Sequence, residues 1–240
     1  MKYNFESFKQ KLGQLNLSMT ESMEEQFSDF YELLIEWNQK MNLTAITDFD
    51  EAADKHFLDS AALGHFIQLK AGDSLIDIGT GAGFPGIPIK ILFPKLRIVL
   101  ADSLNKRVRF LEEVIYKLKL DGISAIHTRA EELARNQEHR EQYDICVSRA
   151  VANLSSLSEY CIPFVKKGGK FISYKSCGIE EEIQNSKKAI HLMGGKLSDV
   201  IEFQLPGTEY MRSFIIIDKE HTTPDKFPRK PGIPAKEPLY

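Results

Sequence analysis

Through the first seventy residues apolar side chains return every three or four positions, whereas beyond Asp73 they come in short dense runs separated by glycine, proline and charge. The first pattern predicts helices and the second buried strands. Met23, Phe27, Phe30, Tyr31, Leu34, Trp37 and Met41 make one apolar face behind Ser18-x-x-Glu21, a capping box, and Asn42-Leu43-Thr44 ends that helix. Residues 48–70 read as two further short helices carrying His56, Asp59 and His65. After them, strands over 75–78, 97–101, 123–126, 143–147 and 170–174 alternate with helices, and a hairpin of 198–203 with 213–218 closes the series. The helix opening near Asn105 points Val108, Leu111, Val114, Ile115 and Leu118 inward, and another starts at about Glu180. Such alternation predicts an α/β fold, a doubly wound sheet with helices on both faces, preceded by a helical extension.

The first strand runs directly into a glycine turn, Asp77-Ile78-Gly79-Thr80-Gly81-Ala82-Gly83-Phe84-Pro85-Gly86. Glycines at alternate positions let backbone approach a ligand where side chains would collide, and Pro85 suits the first turn of the helix that follows. Gly81-x-Gly83-x-x-Gly86 matches the dinucleotide fingerprint, in which a helix N-terminus holds pyrophosphate. Asp77-x-Gly79-x-Gly81-x-Gly83 resembles motif I of the class I S-adenosylmethionine methyltransferases, where the acid orients the loop and the methionine end of the cofactor. A carboxylate beside the turn favours a ligand carrying an ammonium and a sulfonium over one carrying phosphates. A nicotinamide-dependent reductase stays open as the alternative, although no glycine-rich turn after residue 120 supplies a second mononucleotide half.

Asp102 ends the second strand, 19 residues beyond Gly83, where a carboxylate can accept both hydroxyls of a ribose or simply cap the next helix. The fourth strand is followed by Ser148-Arg149-Ala150-Val151. Asn/Asp-Pro-Pro-aromatic, the usual sequence for methylating exocyclic amines, is missing there. Cys146 lies within the strand, not beyond it in the Pro-Cys setting that a thiolate nucleophile for pyrimidine C5 needs. An acceptor that requires no deprotonation remains, and guanine N7 is one.

Composition narrows the class further. The chain has 240 residues, 42% of them hydrophobic, enough for one medium core plus an extension. No apolar run approaches the ~18 residues of a membrane span and Met1 to Gln10 lacks a signal-peptide core, so a cytoplasmic location is expected. Cys146, Cys161 and Cys177 have no metal-ligand spacing and read as small buried hydrophobes. Net charge is −3 but uneven: residues 1–72 hold 6 Lys/Arg against 12 Asp/Glu, leaving 25 against 22 for residues 73–240. Three segments follow: a helical extension over 1–72, a catalytic domain over 73–220 and a proline-rich tail over 221–240. In that tail Lys226, Arg229, Lys230 and Lys236 stand among five prolines, which predicts an extended basic arm suited to RNA phosphate.

Several segments together resemble the 16S rRNA guanine-N7 methyltransferase G family, also called glucose-inhibited division protein B. They are Glu36-Trp37-Asn38-x-x-Met41-Asn42-Leu43-Thr44, Lys55-His56-Phe57-Leu58-Asp59-Ser60, Asp77 to Pro88, Asp102-Ser103-Leu104-Asn105-Lys106-Arg107, Arg129-Ala130-Glu131, Ser148-Arg149-Ala150 and Pro228-Arg229-Lys230-Pro231-Gly232. The resemblance implies a class I, Rossmann-like fold, S-adenosyl-L-methionine as cofactor, and a guanine in the 530 loop of 16S rRNA, or of a small-subunit precursor, as acceptor. It also implies that Gly79, Phe84, Ala130, Glu131 and Arg149 touch the cofactor, beside Asp77, Gly81 and Gly83 of the turn and Asp102 at the end of the second strand. Arg149 is expected to anchor the cofactor carboxylate or guanine O6. His56, Lys106, Arg107, Lys175, Arg229 and Lys230 are the candidates for the RNA side, and a metal-free monomer is expected.

Overall fold

The computed structural model describes residues 3–149 and 151–240. Ala150, part of the quoted Ser-Arg-Ala segment, therefore lies outside the described residues. The chain begins with α1 (Glu6–Gln14) and α2 (Glu21–Asn38). The cap of α2 sits two residues later than the capping box predicts: Met23 N–H donates to Thr20 Oγ1 at 3.3 Å, and Ser18 lies outside the helix. Past α2, Asn38 Oδ1 accepts the backbone N–H groups of both Leu43 and Thr44, which turns the chain back on itself.

In place of two separate short helices, residues 48–66 form a chain of linked turns. α3 (Phe49–Ala52) widens into a π-helical turn over Ala53–Leu58 and continues as α4 (Asp59–Ala61) and α5 (Leu63–Phe66). The wider turn rotates His56 and Asp59 relative to a regular helix, and such turns recur where side chains serve a site.

The sheet holds β1 (Ser74–Ile78), β2 (Arg97–Asp102), β3 (Ile123–His127), β4 (Tyr143–Arg149), β5 (Val165–Lys175), β6 (Gly195–Gln204) and β7 (Met211–Lys219) in the order β3-β2-β1-β4-β5-β7-β6. The first five are parallel; β7 is antiparallel to both β5 and β6. Strand order reverses beside β1, so the crevice at the carboxyl ends of β1 and β4 is where such a sheet receives a ligand. Between the strands lie α6 (Gly86–Leu92), α7 (Asn105–Lys117), α8 (Ala130–Leu133), α9 (Leu154–Cys161) and α10 (Glu180–Leu192).

Two apolar clusters cover the two faces of the sheet. On one face, Phe27, Phe30 and Phe57 from the N-terminal helices share a cluster with Phe84, Phe110 and Leu111, so those helices complete the core over α6 and α7. The other face packs Leu154, Leu157, Ile183 and Ile190 of α9 and α10, and it also takes Phe227 and Leu239 from the tail. Cys146 and Cys161 are buried as expected, while Cys177 is exposed.

The tail is not the extended arm its prolines predict. It ends in a single helical turn, α11 (Ile233–Lys236), with Pro234 tolerated in that turn because it needs no intrahelical donor there. Arg229, expected on the RNA side, is engaged within the protein: its Nε and Nη2 clasp the buried carboxylate of Glu159, at 3.1 and 2.8 Å from Oε2. Lys230 stays exposed.

Candidate active site

The glycine turn closes β1, and its shape is set from beneath. Asp77 is fully buried, and its Oδ2 accepts from Thr80 Oγ1 at 2.7 Å and from Gly86 N–H at 2.9 Å. A Cβ on Gly86 would stand 2.3 Å from Leu100 Cδ2 and 3.0 Å from Asp77 Oδ2, so only glycine lets the helix start this close to β1 and β2. The Oδ1 of Asp77 has no partner. Burial pushes the carboxyl up to about 7, against the pull of the Thr80 and Gly86 hydrogen bonds. With no exposed surface Asp77 holds the loop, and the expected direct contact with a ligand's methionine end is not available to it.

Two cavities open along the carboxyl edge of the sheet. The first, about 250 Å³, lies between the ends of β1 and β2 and the loop into α8, and Gly79, Asp102, Ala130 and Glu131 all line it. Gly81 N–H donates to Asp102 Oδ2 at 3.0 Å, and Leu104 N–H donates to Oδ1 at 2.8 Å. Asp102 is not the N-cap of α7, which is Leu104 without a side-chain cap; it ties the loop to the glycine turn and faces the cavity with acceptor capacity beyond these bonds. Arg107 Nη1 stands 3.4 Å from Asp102 Oδ2, and Lys106 beside it is exposed; neither lines this cavity.

The second cavity, about 450 Å³, is lined by Lys55, His56, Asp59, Arg149, Lys175 and Arg212 among others. Buried Asp59 organises it: Oδ2 accepts from Arg149 Nη1 at 2.7 Å and Oδ1 from Arg212 Nε at 2.8 Å. Arg149 Nη1 also donates to Lys55 O at 3.1 Å, and its guanidinium lies over the Phe84 ring, 5.1 Å from the centroid. His56 stacks on the same ring at 4.4 Å. Phe84 is therefore a platform under these two side chains and lines neither cavity.

Burial, with the Arg149 charge beside it, drops the His56 imidazole to about 3. His56 Nδ1 lies 3.2 Å from Lys55 O, an acceptor, and 3.4 Å from Arg149 Nη2, a donor, while Nε2 lies 2.9 Å from the Thr44 hydroxyl, which can meet either tautomer. Since the unfolded imidazole titrates near 6.5, the unfolded chain takes up a proton first, and acid pulls the equilibrium toward unfolding. The stabilisation is complete above 6.5 and is lost progressively between 6.5 and about 3. Urea titrations at several pH values should show wild type losing stability against His56→Asn over that window, at up to about 1.4 kcal/mol per pH unit. Parallel curves for the two proteins would contradict a neutral, buried His56.

Lys175 is less available than its sequence position suggests. Its Nζ donates to Ala152 O at 2.9 Å and to Glu182 Oε1 at 2.6 Å, which fastens the segment after β4 while its stem faces the second cavity. The structure adds Asp59, Lys55 and Arg212 to the site candidates that the sequence offers. The spacing of His56 and Asp59 on one helical turn was a usable signal; nothing in the local sequence marks Arg212. The segment that leaves β4 serves both cavities: Arg149 lines the second, and Val151 lines the first and covers Gly79, whose added Cβ would fall 2.5 Å from Val151 Cγ2.

The rRNA small subunit methyltransferase G family model matches residues 23–211. Ribosomal RNA small subunit methyltransferase G of Lachnoclostridium phytofermentans is 52% identical over 233 residues, 97% of this chain and 96% of that protein. The protein of the same name from Bacillus licheniformis is 48% identical over 98% of this chain and 99% of its own length. Among solved structures, M. jannaschii TYW2 in complex with AdoMet superposes with a TM-score of 0.51 at 18% identity, covering 63% of this chain and 71% of that one, a likeness of fold.

Proposed function

This chain belongs to the rRNA small subunit methyltransferase G family, and from that premise we propose that it methylates a guanine of 16S rRNA at N7, in the 530 loop, with S-adenosyl-L-methionine as donor. The observation that carries the reading is the pair of cavities at the carboxyl edge of the sheet, one at the glycine turn with Asp102 in its wall and one lined by cations. The first fits the adenosine end of the cofactor. Gly81 leaves open space, with only Gly79 O at 4.0 Å from a Cβ built there, and Asp102 presents a carboxylate suited to ribose hydroxyls.

The cofactor supplies a methyl group on a cationic sulfur. Guanine N7 has an in-plane lone pair, so the protein has no proton to remove and its residues position the acceptor. Neutral His56 agrees with that: a group held at about 3 is a weak base and carries no extra proton to give near neutrality. Holding the reacting atoms ~3–3.5 Å apart can lower a barrier by ~7–11 kcal/mol, which makes fixed geometry the main contribution.

Lys55, Arg149, Lys175 and Arg212 stand against three carboxylates, since Asp59 takes both guanidiniums while Glu51 pairs with Lys55 and Glu182 with Lys175, and the remaining excess of positive charge draws in RNA phosphate. An arginine donating to N7 would occupy the lone pair that must attack. Asp59 and Lys55 O hold the Arg149 Nη1 edge, leaving the guanidinium to orient guanine O6 or the cofactor carboxylate. The phosphates that arrive with the acceptor offset the positive charge that grows on its ring. Among the described residues no cluster of His, Cys, Asp or Glu is placed to hold a metal.

The test is to mix purified protein, labelled S-adenosylmethionine and small subunits that lack the modification, then map the labelled nucleotide. Label on N7 of a guanine in the 530 loop is expected. Label on another base, or a protein that ignores this donor and binds a nicotinamide dinucleotide, overturns the reading.

A further inference from the structure

The C-terminal segment, residues 228–239, lies beyond residue 211, where the match to the family model ends, yet it reaches the first cavity. Gly232 and Ala235 line that cavity together with the loop of Thr128 to Glu131. Gly232 N–H donates to Glu131 Oε1 at 2.8 Å, joining the tail to a side chain that lines the same cavity. Gly232 has φ +82°, a conformation in which any side chain is strained, and this bend delivers its N–H to the carboxylate before α11 begins.

The segment is bolted to α9 along its length. Besides the Arg229 clasp on buried Glu159, Ser156 Oγ donates to Pro234 O at 2.7 Å and Ser155 Oγ to Leu239 O at 3.0 Å. Arg135 Nη2 donates to Pro228 O at 2.5 Å. A disordered terminus makes no such series of bonds, and a strap needed only to cover the core would not require two of the smallest residues facing a cavity. Small residues there keep the wall close and leave room for a flat ring between the tail and the α8 loop.

We propose that this C-terminal segment is the outer wall of the cofactor pocket, with Gly232 and Ala235 against the base and the Arg229–Glu159 pair holding the wall in place. This rests on reading the first cavity as the adenosine site. Cofactor affinity then depends on the tail, and by linkage a bound nucleoside holds the tail down.

The test uses the full chain and S-adenosylhomocysteine, with binding measured by calorimetry and folding by thermal unfolding without ligand. Ala235→Phe places a ring in the cavity from an exposed position, so its unfolding temperature should match wild type while the Kd rises at least tenfold. Arg229→Ala should raise the Kd and expose the tail to limited proteolysis, with saturating ligand slowing the cleavage. Ala130→Trp fills the cavity from the α8 loop and separates the two readings. If it abolishes binding while Ala235→Phe and Arg229→Ala both bind within twofold of wild type, the tail is no wall and the proposal fails alone. If all three variants bind normally, the adenosine assignment falls and takes the proposal with it.

Discussion

Replacing Arg149 by alanine should lower methyl transfer to 16S rRNA at least a hundredfold, about 2.7 kcal/mol of transition-state stabilisation, while costing much less in folding. Arg149 faces the second cavity at the exit of β4, and its guanidinium rests on Phe84 beside His56. Its removal does not strand Asp59, because Arg212 Nε still donates to Oδ1. The unfolding free energy should therefore fall by only about 1–3 kcal/mol, the range for losing one partner of a buried hydrogen-bonded group. Arg149→Lys keeps the charge but cannot reproduce the fork that meets both Asp59 and Lys55 O, so it should recover stability more than turnover. Transfer assays beside urea titrations check this. Proportional losses of both quantities would reduce Arg149 to a structural ion pair.

Asp59→Ala should be the more damaging change, because one carboxylate holds two guanidiniums. Arg149 and Arg212 would be left facing each other at the rim of the cavity, each without its anion. Breaking a buried pair from the side of the shared partner typically costs about 3–5 kcal/mol. Activity should fall at least as far as in Arg149→Ala, since Arg149 then swings out of register. The Asp59→Ala and Arg212→Ala double variant separates the causes: removing one of the two orphaned cations should restore part of the stability and little of the turnover. Equal recovery of both would show that Asp59 acts through folding alone.

Much of this was legible along the chain. The strands, the glycine turn and Asp102 declare themselves because their determinants are local: alternating glycines, an acid two residues before the first, and apolar runs of strand length. The segments that resemble one family specified cofactor and acceptor more sharply than any geometry does, and the family match agrees with them. The sequence also marked Arg149 and His56.

It did not reveal what those residues touch. Asp59 lies 90 residues from Arg149 and 153 from Arg212, and no local pattern encodes an ion pair across such separations. The same limit governs the tail. Five prolines and four basic residues read as a solvated arm because composition reports what a segment does when nothing packs against it. Buried Glu159 on α9 and the carboxylate of Glu131 give that segment partners 70 and 101 residues away in the chain, and these convert an arm into a wall. Local patterns thus determined the fold class, and the family resemblance that the local motifs carry pointed to the donor and the kind of acceptor. Which charges neutralise one another, which acid only holds a loop, and what closes the cofactor pocket depend on distant residues meeting, and those meetings exist only once the sheet has formed.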